Sequence, residues 1–209
     1  EQAAIFCKEG DETCMQGFFQ AIISQFVTCD EAVDTFVSGK GREWGQHSSC
    51  LFCGTDRFFR PGYEANLLHN WVPALDGVDE KLKLGGKIAD IGCGHGSSTR
   101  LLASHYPNSE VFGYDFHVPS IELASEAAKK EGLSNVTFLR SNAKDILEKE
   151  FDLVCIFDAL HDMGDPVGVS KRINNILKES GSFMLVEPIA GDSLRENLNL
   201  LSGIFYGIS

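Results

Sequence analysis

Apolar residues follow two different spacings along this chain, and the change falls close to residue 85. Before it, apolar side chains recur every three or four positions, which is the spacing of amphipathic helices. The first such stretch is residues 12–28, and a second begins at Asp30, a residue suited to cap a helix, and runs to about Ser38. Gly39 and Gly41 then end this second predicted helix.

An aromatic-rich stretch follows these helices and predicts a long loop. We expect the loop to end at the break Arg60-Pro61-Gly62, because proline and glycine interrupt helices, and an amphipathic segment to follow over Asn66 to Val72. Residues 1–84 are therefore predicted to be a helical N-terminal segment that contains this loop.

From Lys87 onwards, short apolar runs alternate with stretches of helical spacing. This alternation predicts an α/β fold, a doubly wound and mostly parallel sheet with helices on both faces, over residues 85–209. The predicted strands are 87–92, 110–115, 136–140, 152–158 and 182–187. The predicted helices are about 96–105, about 119–131, 143–149, one from Asp165-Pro166 to before Gly181, and one after Asp192.

Composition narrows the functional classes. The chain has 209 residues, 43% of them hydrophobic, and a formal net charge of -12. It has no basic stripe, so a nucleic-acid partner is not expected. No apolar run approaches the roughly 20 residues that span a bilayer, so a membrane partner is not expected either. Seven cysteines, an odd number, without a secretory signal favour reduced thiols and a cytoplasmic protein.

One cysteine pair raises the question of a metal. Cys50 and Cys53, with His47 nearby, resemble half of a zinc site. A structural zinc site needs four ligands, commonly from two such pairs, and the other cysteines are scattered. We therefore predict no metal site.

Four of the five predicted strands end in an acid, namely Asp90, Asp115, Asp158 and Glu187. In parallel α/β sheets the ligand lies beyond the carboxyl ends of the strands. This clustering therefore predicts an acidic ligand site at that edge.

The stretch "KIADIGCGHGSSTRLLA" holds a glycine turn between the first strand and the first helix of this region. Gly92 and Gly94 fit the first two positions of a dinucleotide fingerprint, but Ser97 stands at the third. Asp90 precedes the turn, and at its mouth a carboxylate would repel a pyrophosphate and attract a cation such as the sulfonium of S-adenosylmethionine. Asp115, roughly 20 residues further on, is placed to accept the ribose hydroxyls of either cofactor.

The segments "ADIGCGHGSSTRLLA", "VFGYDFH", "FLRSNAKDI" and "FDLVCIFDALHDM" resemble, in order and spacing, the motifs of class I S-adenosylmethionine-dependent methyltransferases. This resemblance covers about residues 85–190. It implies that the cofactor is S-adenosyl-L-methionine, that the fold is Rossmann-like, and that the aromatic segment Phe58 to Tyr63 forms a lid, with plain core packing as the alternative. The residues that it assigns to the cofactor are Asp90, Gly92, Gly94 and Gly96 for the methionine part, Asp115 for the ribose, Phe116, His117, Asn142 and Ala143 for the adenine, and Phe157 and Asp158 below the sulfonium.

The longer signature that begins "GTDRFFRPGYEANLLHNW" resembles a subgroup with a winged-helix-like N-terminal domain, which is largely absent from this chain. The resemblance also implies further strands after Glu187, where only one helix-length of chain remains. The methyltransferase domain is therefore expected to be C-terminally incomplete. Residues 12–28 are a candidate dimerisation element of a homodimer, with packing of this helix on its own domain as the alternative.

The chemistry predicted at this edge is methyl transfer to a small-molecule acceptor. His161 lies just past the fourth strand and is the candidate general base, with Asp162 to orient it; the alternative is that His161 only holds the following loop. Two other functions stay open from the residues: a regulator that binds S-adenosylmethionine without turnover, and an NAD-dependent oxidoreductase, which Asp90 and Ser97 disfavour. The residues do not identify the acceptor.

Overall fold

Five parallel strands form one sheet in the order β3-β2-β1-β4-β5. The computed structural model describes residues 1–11, 13–200, 202, 203 and 205. Because the two halves of the sheet wind outward from β1, its carboxyl edge carries the switch in strand order at which α/β proteins bind ligands. The strands are β1 (Lys87–Ile91), β2 (Glu110–Asp115), β3 (Val136–Arg140), β4 (Phe151–Phe157) and β5 (Leu177–Val186).

Helices connect the strands and cover both faces of the sheet, which confirms the predicted Rossmann-like fold class. Their bounds are α1 (Gln2–Cys7), α2 (Gln16–Val27), α3 (Cys29–Ser38), α4 (Ser49–Asn66), α5 (Val78–Leu84), α6 (Ser97–His105), α7 (Val118–Lys130), α8 (Pro166–Ile176) and α9 (Leu194–Asn197). Short 3-10 turns cover Trp44–Gln46 and Ala143–Asp145, and one π-helical turn covers Leu67–Trp71.

The central strands are buried on both faces, as a doubly covered parallel sheet requires. Every residue of β4 is buried, and only Lys87 of β1 is not. One core cluster contains Leu82, Ile88 and Leu102, and the other, on the opposite face, contains Ile91 and Ile156. The sheet is therefore a rigid base that fixes the positions of the strand ends.

The chain divides into two compact units. One comprises residues 1–61 and 188–209, and the other residues 62–187. The predicted domains, 1–84 and 85–209, have a different boundary, and that division stays a prediction.

In the first unit, α2 and α4 approach at two glycines. A Cβ on Gly17 would lie 2.3 Å from the backbone nitrogen of Phe58, and one on Gly54 would lie 2.6 Å from that of Ala21. Arg57 of α4 holds the same helix pair by hydrogen bonds to the Gln16 and Gln20 side chains. The predicted helix 12–28 is observed as Gln16–Val27, and Glu12 lies outside the described residues.

The predicted break at Arg60-Pro61-Gly62 is wrong. Pro61 lies inside α4 and is buried, so Phe58 to Tyr63 are helical and do not form a loop. Proline removes one backbone hydrogen bond from a helix interior, but here burial of the apolar side of the helix outweighs that local preference.

Two predictions near the C-terminal end also need correction. The helix expected to continue to before Gly181 ends at Ile176, because Leu177 is extended and pairs with Phe151 of β4. The last predicted helix is observed only as Leu194–Asn197, and residues 201, 204 and 206–209 lie outside the described part of the chain. None of the described helices is both long and apolar enough to cross a membrane.

Candidate active site

The turn after β1 depends on three glycines with positive φ. These φ values are 76° at Gly92, 51° at Gly94 and 74° at Gly96, a region that other residues enter at a cost. A Cβ on Gly92 would lie 2.8 Å from that of Ala159, and one on Gly96 would lie 2.7 Å from the Phe138 ring. At Gly94 a Cβ would meet nothing within 4 Å. Two of the glycines are thus needed for packing, whereas Gly94 borders open space.

Asp115, at the end of β2, holds this turn in place. Its Oδ2 accepts a hydrogen bond from the Gly94 backbone N–H at 2.9 Å, and its Oδ1 accepts one from the His117 N–H at 2.8 Å. The carboxyl is buried, with 7% exposed. A carboxylate has about four lone-pair sites, so each oxygen retains the capacity to accept a second hydrogen bond from a ligand hydroxyl.

Asp90 does not lie at the mouth of the turn, and this part of the sequence argument is wrong. It belongs to the interior of β1, is 1% exposed, and its Oδ2 accepts hydrogen bonds at 2.6 Å from the hydroxyls of Ser98 and Thr99 at the start of α6. Burial raises the pKa of Asp90 to about 6, although the two hydroxyls lower it; the charge of Asp115 raises it further. Asp90 therefore fixes the first turn of α6 under the glycine turn.

The residues assigned to the adenine lie at the ends of β2 and β3. The Phe116 ring is exposed, and the His117 ring shares a hydrogen bond of 2.8 Å with the Ser120 hydroxyl at the start of α7. Asn142 is exposed and its side chain donates to Asp145, while Ala143 is partly buried. β2 and β3 are neighbours in the sheet, so these residues lie at one edge.

The ends of β4 and β5 bring three titratable groups together. His161 Nδ1 lies 2.5 Å from Glu187 Oε2. One ring nitrogen of His161 and one carboxylate oxygen each of Asp158 and Glu187 all lie within 4.8 Å of one another. The other Glu187 oxygen accepts hydrogen bonds from the backbone N–H groups of Ala159 and Leu160. Asp162 is farther from the imidazole, with its Oδ1 3.5 Å from Nε2. Glu187 is thus the acid that fixes the ring, a contact that the sequence did not assign.

Burial and neighbouring charges shift the pKa values of two groups here. Burial lowers the pKa of His161, but the hydrogen bond to Glu187 and the charges of Asp162, Glu187 and Asp158 outweigh it, so the pKa is raised. Burial raises the pKa of Asp158 to about 6; His161 lowers it, and the charges of Glu187 and Asp162 raise it. Asp158 has a positive φ of 50°, an uncommon conformation for a residue other than glycine.

Phe157 is placed differently from the other assigned residues. Its ring lies in the hydrophobic core against Tyr63 and Trp71, with centroid distances of 5.3 and 6.0 Å, and only 6% of the residue is exposed. Phe157 therefore anchors the chain in the hydrophobic core directly before Asp158.

Two further functional contacts were not predicted. The Ser98 and Thr99 hydroxyls were not singled out, although hydroxyl residues at the start of a helix are the usual partners of a nearby acid. The pairing of Glu187 with His161 depends on β4 and β5 being neighbours, and no spacing in the sequence gives that order.

The residues present fit S-adenosylmethionine. Gly94 leaves room for close approach to the backbone, Asp115 can accept further hydrogen bonds, and the acids at the strand ends suit a cationic ligand. A five-stranded parallel sheet with this turn and this acid is typical of α/β proteins that bind a cofactor at the carboxyl ends of their strands.

The sequence model of a family described as "Methyltransferase domain" matches residues 82–202, more than half of the chain. The chain belongs to this family, which confirms the resemblance to S-adenosylmethionine-dependent methyltransferases.

Curated relatives are similar over part of the chain. Sterol 24-C-methyltransferase erg6 of Aspergillus fumigatus is 30% identical over 157 residues, 72% of this chain and 40% of its own length. Demethylmenaquinone methyltransferase of Staphylococcus carnosus is 31% identical over 110 residues, 51% of this chain and 45% of its own length. The chain thus spans less than half the length of these relatives.

A solved structure, the YcgJ protein from Bacillus subtilis, is similar with a TM-score of 0.51 and 25% identity. The similarity covers 58% of this chain and 54% of that protein.

Proposed function

We propose that this chain binds S-adenosyl-L-methionine at the carboxyl edge of its sheet and transfers the methyl group to a small-molecule acceptor. One observation carries the proposal: Asp115 Oδ2 accepts the Gly94 N–H at 2.9 Å in a chain of the methyltransferase domain family. This hydrogen bond links the turn that would face the methionine part to the acid that would accept the ribose hydroxyls.

The other assigned residues either border the cofactor or support residues that do. Gly92, Gly94 and Gly96 shape the methionine side, and Asp90 supports it through α6. Asp158 is the acid near the reacting group. Phe116, His117, Asn142 and Ala143 border the adenine, and Phe157 supports the floor from the core.

S-adenosylmethionine, when bound, supplies a methyl group on a sulfonium, which needs no further activation. The residues of the chain align the acceptor at about 3–3.5 Å and exclude water. His161 accepts the proton that the acceptor loses, and Glu187 holds the imidazole through Nδ1 so that Nε2 is the basic position. Asp162, 3.5 Å from Nε2, adds negative charge that favours the imidazolium.

Two features support a small acceptor. The two curated relatives compared above are named for methylation of a sterol and of demethylmenaquinone, both small molecules. The net charge of -12 also disfavours a polyanionic acceptor such as a nucleic acid.

Calorimetry on the purified chain tests cofactor choice. S-adenosylmethionine and S-adenosylhomocysteine should bind and NAD should neither bind nor compete. A compound screen read by release of S-adenosylhomocysteine then tests turnover, and EDTA should leave it unchanged because no metal is part of the proposal. Binding without turnover of any compound would favour the regulator, and binding of NAD alone would contradict the proposal.

We further propose that residues 1–84 form a helical segment that carries the aromatic lid, and that residues 85–209 form the methyltransferase domain. We also propose that the protein is cytoplasmic and forms a homodimer. Apolar side chains exposed on α2 and α3, among them Phe26 at 77% and Phe36 at 88%, support the dimer. Light scattering on Phe36→Ser, compared with the unmodified chain, tests it, since a monomer in both cases would contradict it.

A further inference from the structure

Two thiols lie on the same side of α4, near its N-terminal end. Cys50 and Cys53 are both free and exposed, while Leu51 between them is fully buried. Residues three apart on a helix point to the same side, so the two sulfurs face the same solvent-exposed surface. This pair is the only one among the seven cysteines with that spacing.

The local backbone favours a bond between these thiols. The helix begins with an i to i+3 hydrogen bond, from the Leu51 N–H to the Ser48 carbonyl at 2.9 Å. This bond spans Ser48 to Leu51, so Cys50 lies in the tight turn and Cys53 in the helix that follows it. A disulfide needs a Cα–Cα separation of about 4.4–6.8 Å, and residues three apart in a helix fall within that range.

The two cysteines differ in how firmly they are held. Gly54, next to Cys53, packs so closely against α2 that a Cβ there would lie 2.6 Å from the Ala21 nitrogen. Cys50 belongs to the first turn, whose N–H groups have no acceptor within the helix. Cys53 is therefore the more firmly held of the two.

We propose that Cys50 and Cys53 form a dithiol site that closes reversibly to an intrachain disulfide by exchange with glutathione disulfide. One protein thiolate attacks a glutathione sulfur, forms a mixed disulfide and releases one glutathione thiol. The second protein thiolate then attacks the protein sulfur of that mixed disulfide, and the second glutathione thiol leaves. The two electrons lost by the protein thiols reduce glutathione disulfide to two glutathione thiols, which carry the two protons. The family match begins at residue 82, so this site does not depend on the proposed methyl transfer.

The sequence offers internal controls. Cys7 and Cys29 are also exposed, but neither has a cysteine three or four residues away. Each should therefore stop at the mixed disulfide with glutathione, which measures the reactivity of a single exposed thiol.

The experiment is peptide mapping of the full chain at graded ratios of oxidised to reduced glutathione, after acid quenching and alkylation. One tryptic peptide, residues 43–57, holds both Cys50 and Cys53 and no other cysteine. At ratios of oxidised to reduced glutathione at which Cys29 is only partly glutathionylated, we expect the mass of this peptide to be lower than that of its dithiol form by two hydrogen atoms. In Cys50→Ser, the same peptide should instead gain one glutathione on Cys53.

The proposal is overturned if the native peptide carries two glutathiones, or two alkyl groups, while Cys29 is glutathionylated. Circular dichroism of Cys50→Ser checks that α4 is retained, and Cys29→Ser should leave the closed fraction unchanged.

Discussion

Asp115 accepts the backbone N–H of Gly94 across the carboxyl edge of the sheet, at 2.9 Å. The bond joins the end of β2 to the glycine turn after β1, so one buried carboxylate sets both the shape of the turn and the acceptor next to it. Hydrogen bonds to an ionised group are stronger than neutral ones, which makes this the contact on which the geometry of the cofactor site depends most.

Replacing Asp115 therefore should weaken cofactor binding. We expect Asp115→Ala to raise the Kd for S-adenosylmethionine about tenfold or more, since one charge-assisted hydrogen bond is worth about 1.5–3 kcal/mol. Calorimetry measures the Kd, and circular dichroism checks that the sheet is intact. Asp76→Ala is the matched control, because Asp76 is an exposed acid outside the proposed cofactor residues. An unchanged Kd in Asp115→Ala would place the site elsewhere.

The strands could be predicted because they are apolar runs between turn residues, and each predicted strand overlaps an observed one. The ends of the helices and strands could not be predicted in this way. Pro61 was predicted to break the helix because the local preference of proline takes no account of the burial that keeps α4 intact. Leu177 was predicted to be helical because its pairing with Phe151 is a long-range contact that local sequence does not show.

The candidate site shows the same division between local and long-range information. Residues at strand ends were predicted from position alone. The partner of His161 was not, because Asp162 is next in sequence whereas Glu187 becomes its neighbour only when β5 pairs with β4. Likewise, the interior position of Asp90 in β1, and not its distance from the glycines, decides that it meets Ser98 and Thr99.

The buried Asp90 carboxyl makes stability depend on pH. Its pKa is about 6 in the folded chain and 3.8 in the unfolded chain, so the folded state binds the proton more tightly. The contribution of this group to the free energy of unfolding is therefore full below pH 4 and is lost as the pH rises to 6. The change amounts to about 3 kcal/mol.

Urea unfolding of the unmodified chain and of Asp90→Asn, from pH 4 to pH 7, checks this. The free-energy difference between them should move in favour of Asp90→Asn as the pH rises, because asparagine does not titrate. A difference that stays constant over this range would show that the pKa of Asp90 is not raised.

Glu187 should control the protonation of His161. The pKa of His161 is raised by the hydrogen bond to Glu187 against the lowering effect of burial, so the imidazole stays protonated to higher pH than usual. We expect Glu187→Gln to lower this pKa, because it removes the charged hydrogen-bond acceptor. Titration of the imidazole carbon protons by NMR measures it without any acceptor.

The acid limb of the rate profile should shift with that pKa, because only the neutral imidazole accepts a proton. For an acceptor found by the screen, His161→Ala should lower kcat by about 10²–10⁴-fold. Asp162→Asn should move the pKa less than Glu187→Gln, since its oxygen is 3.5 Å away from the ring. If neither the NMR titration nor the rate profile moved in Glu187→Gln, the positioning role would be wrong.

Gly92 and Gly94 form a matched pair for separating packing from ligand space. Both have positive φ, so alanine at either position adds strain of about 1–2 kcal/mol. At Gly92 the new Cβ also lies 2.8 Å from that of Ala159, so Gly92→Ala should be the more destabilising change in urea. At Gly94 the Cβ enters open space. Gly94→Ala should therefore weaken S-adenosylmethionine binding by more than the lower stability of the folded variant accounts for. Equal cofactor affinity in Gly94→Ala and the unmodified chain would exclude close approach of the ligand at this glycine.

Helix contact in the first unit depends on the absence of a side chain at Gly17. A Cβ there would lie 2.3 Å from the Phe58 nitrogen and 2.6 Å from the Arg57 carbonyl carbon, and backbone atoms cannot rotate away. Gly17→Ala should therefore force α2 and α4 apart and cost about 1–3 kcal/mol, measured as a lower midpoint of thermal unfolding. Gly62→Ala is the control, because it also adds a methyl group in α4 but meets nothing within 4 Å. Alanine is the better helix former there by about 0.5–1 kcal/mol, so the control should raise the midpoint, and a rise in both variants would contradict the close contact of the two helices.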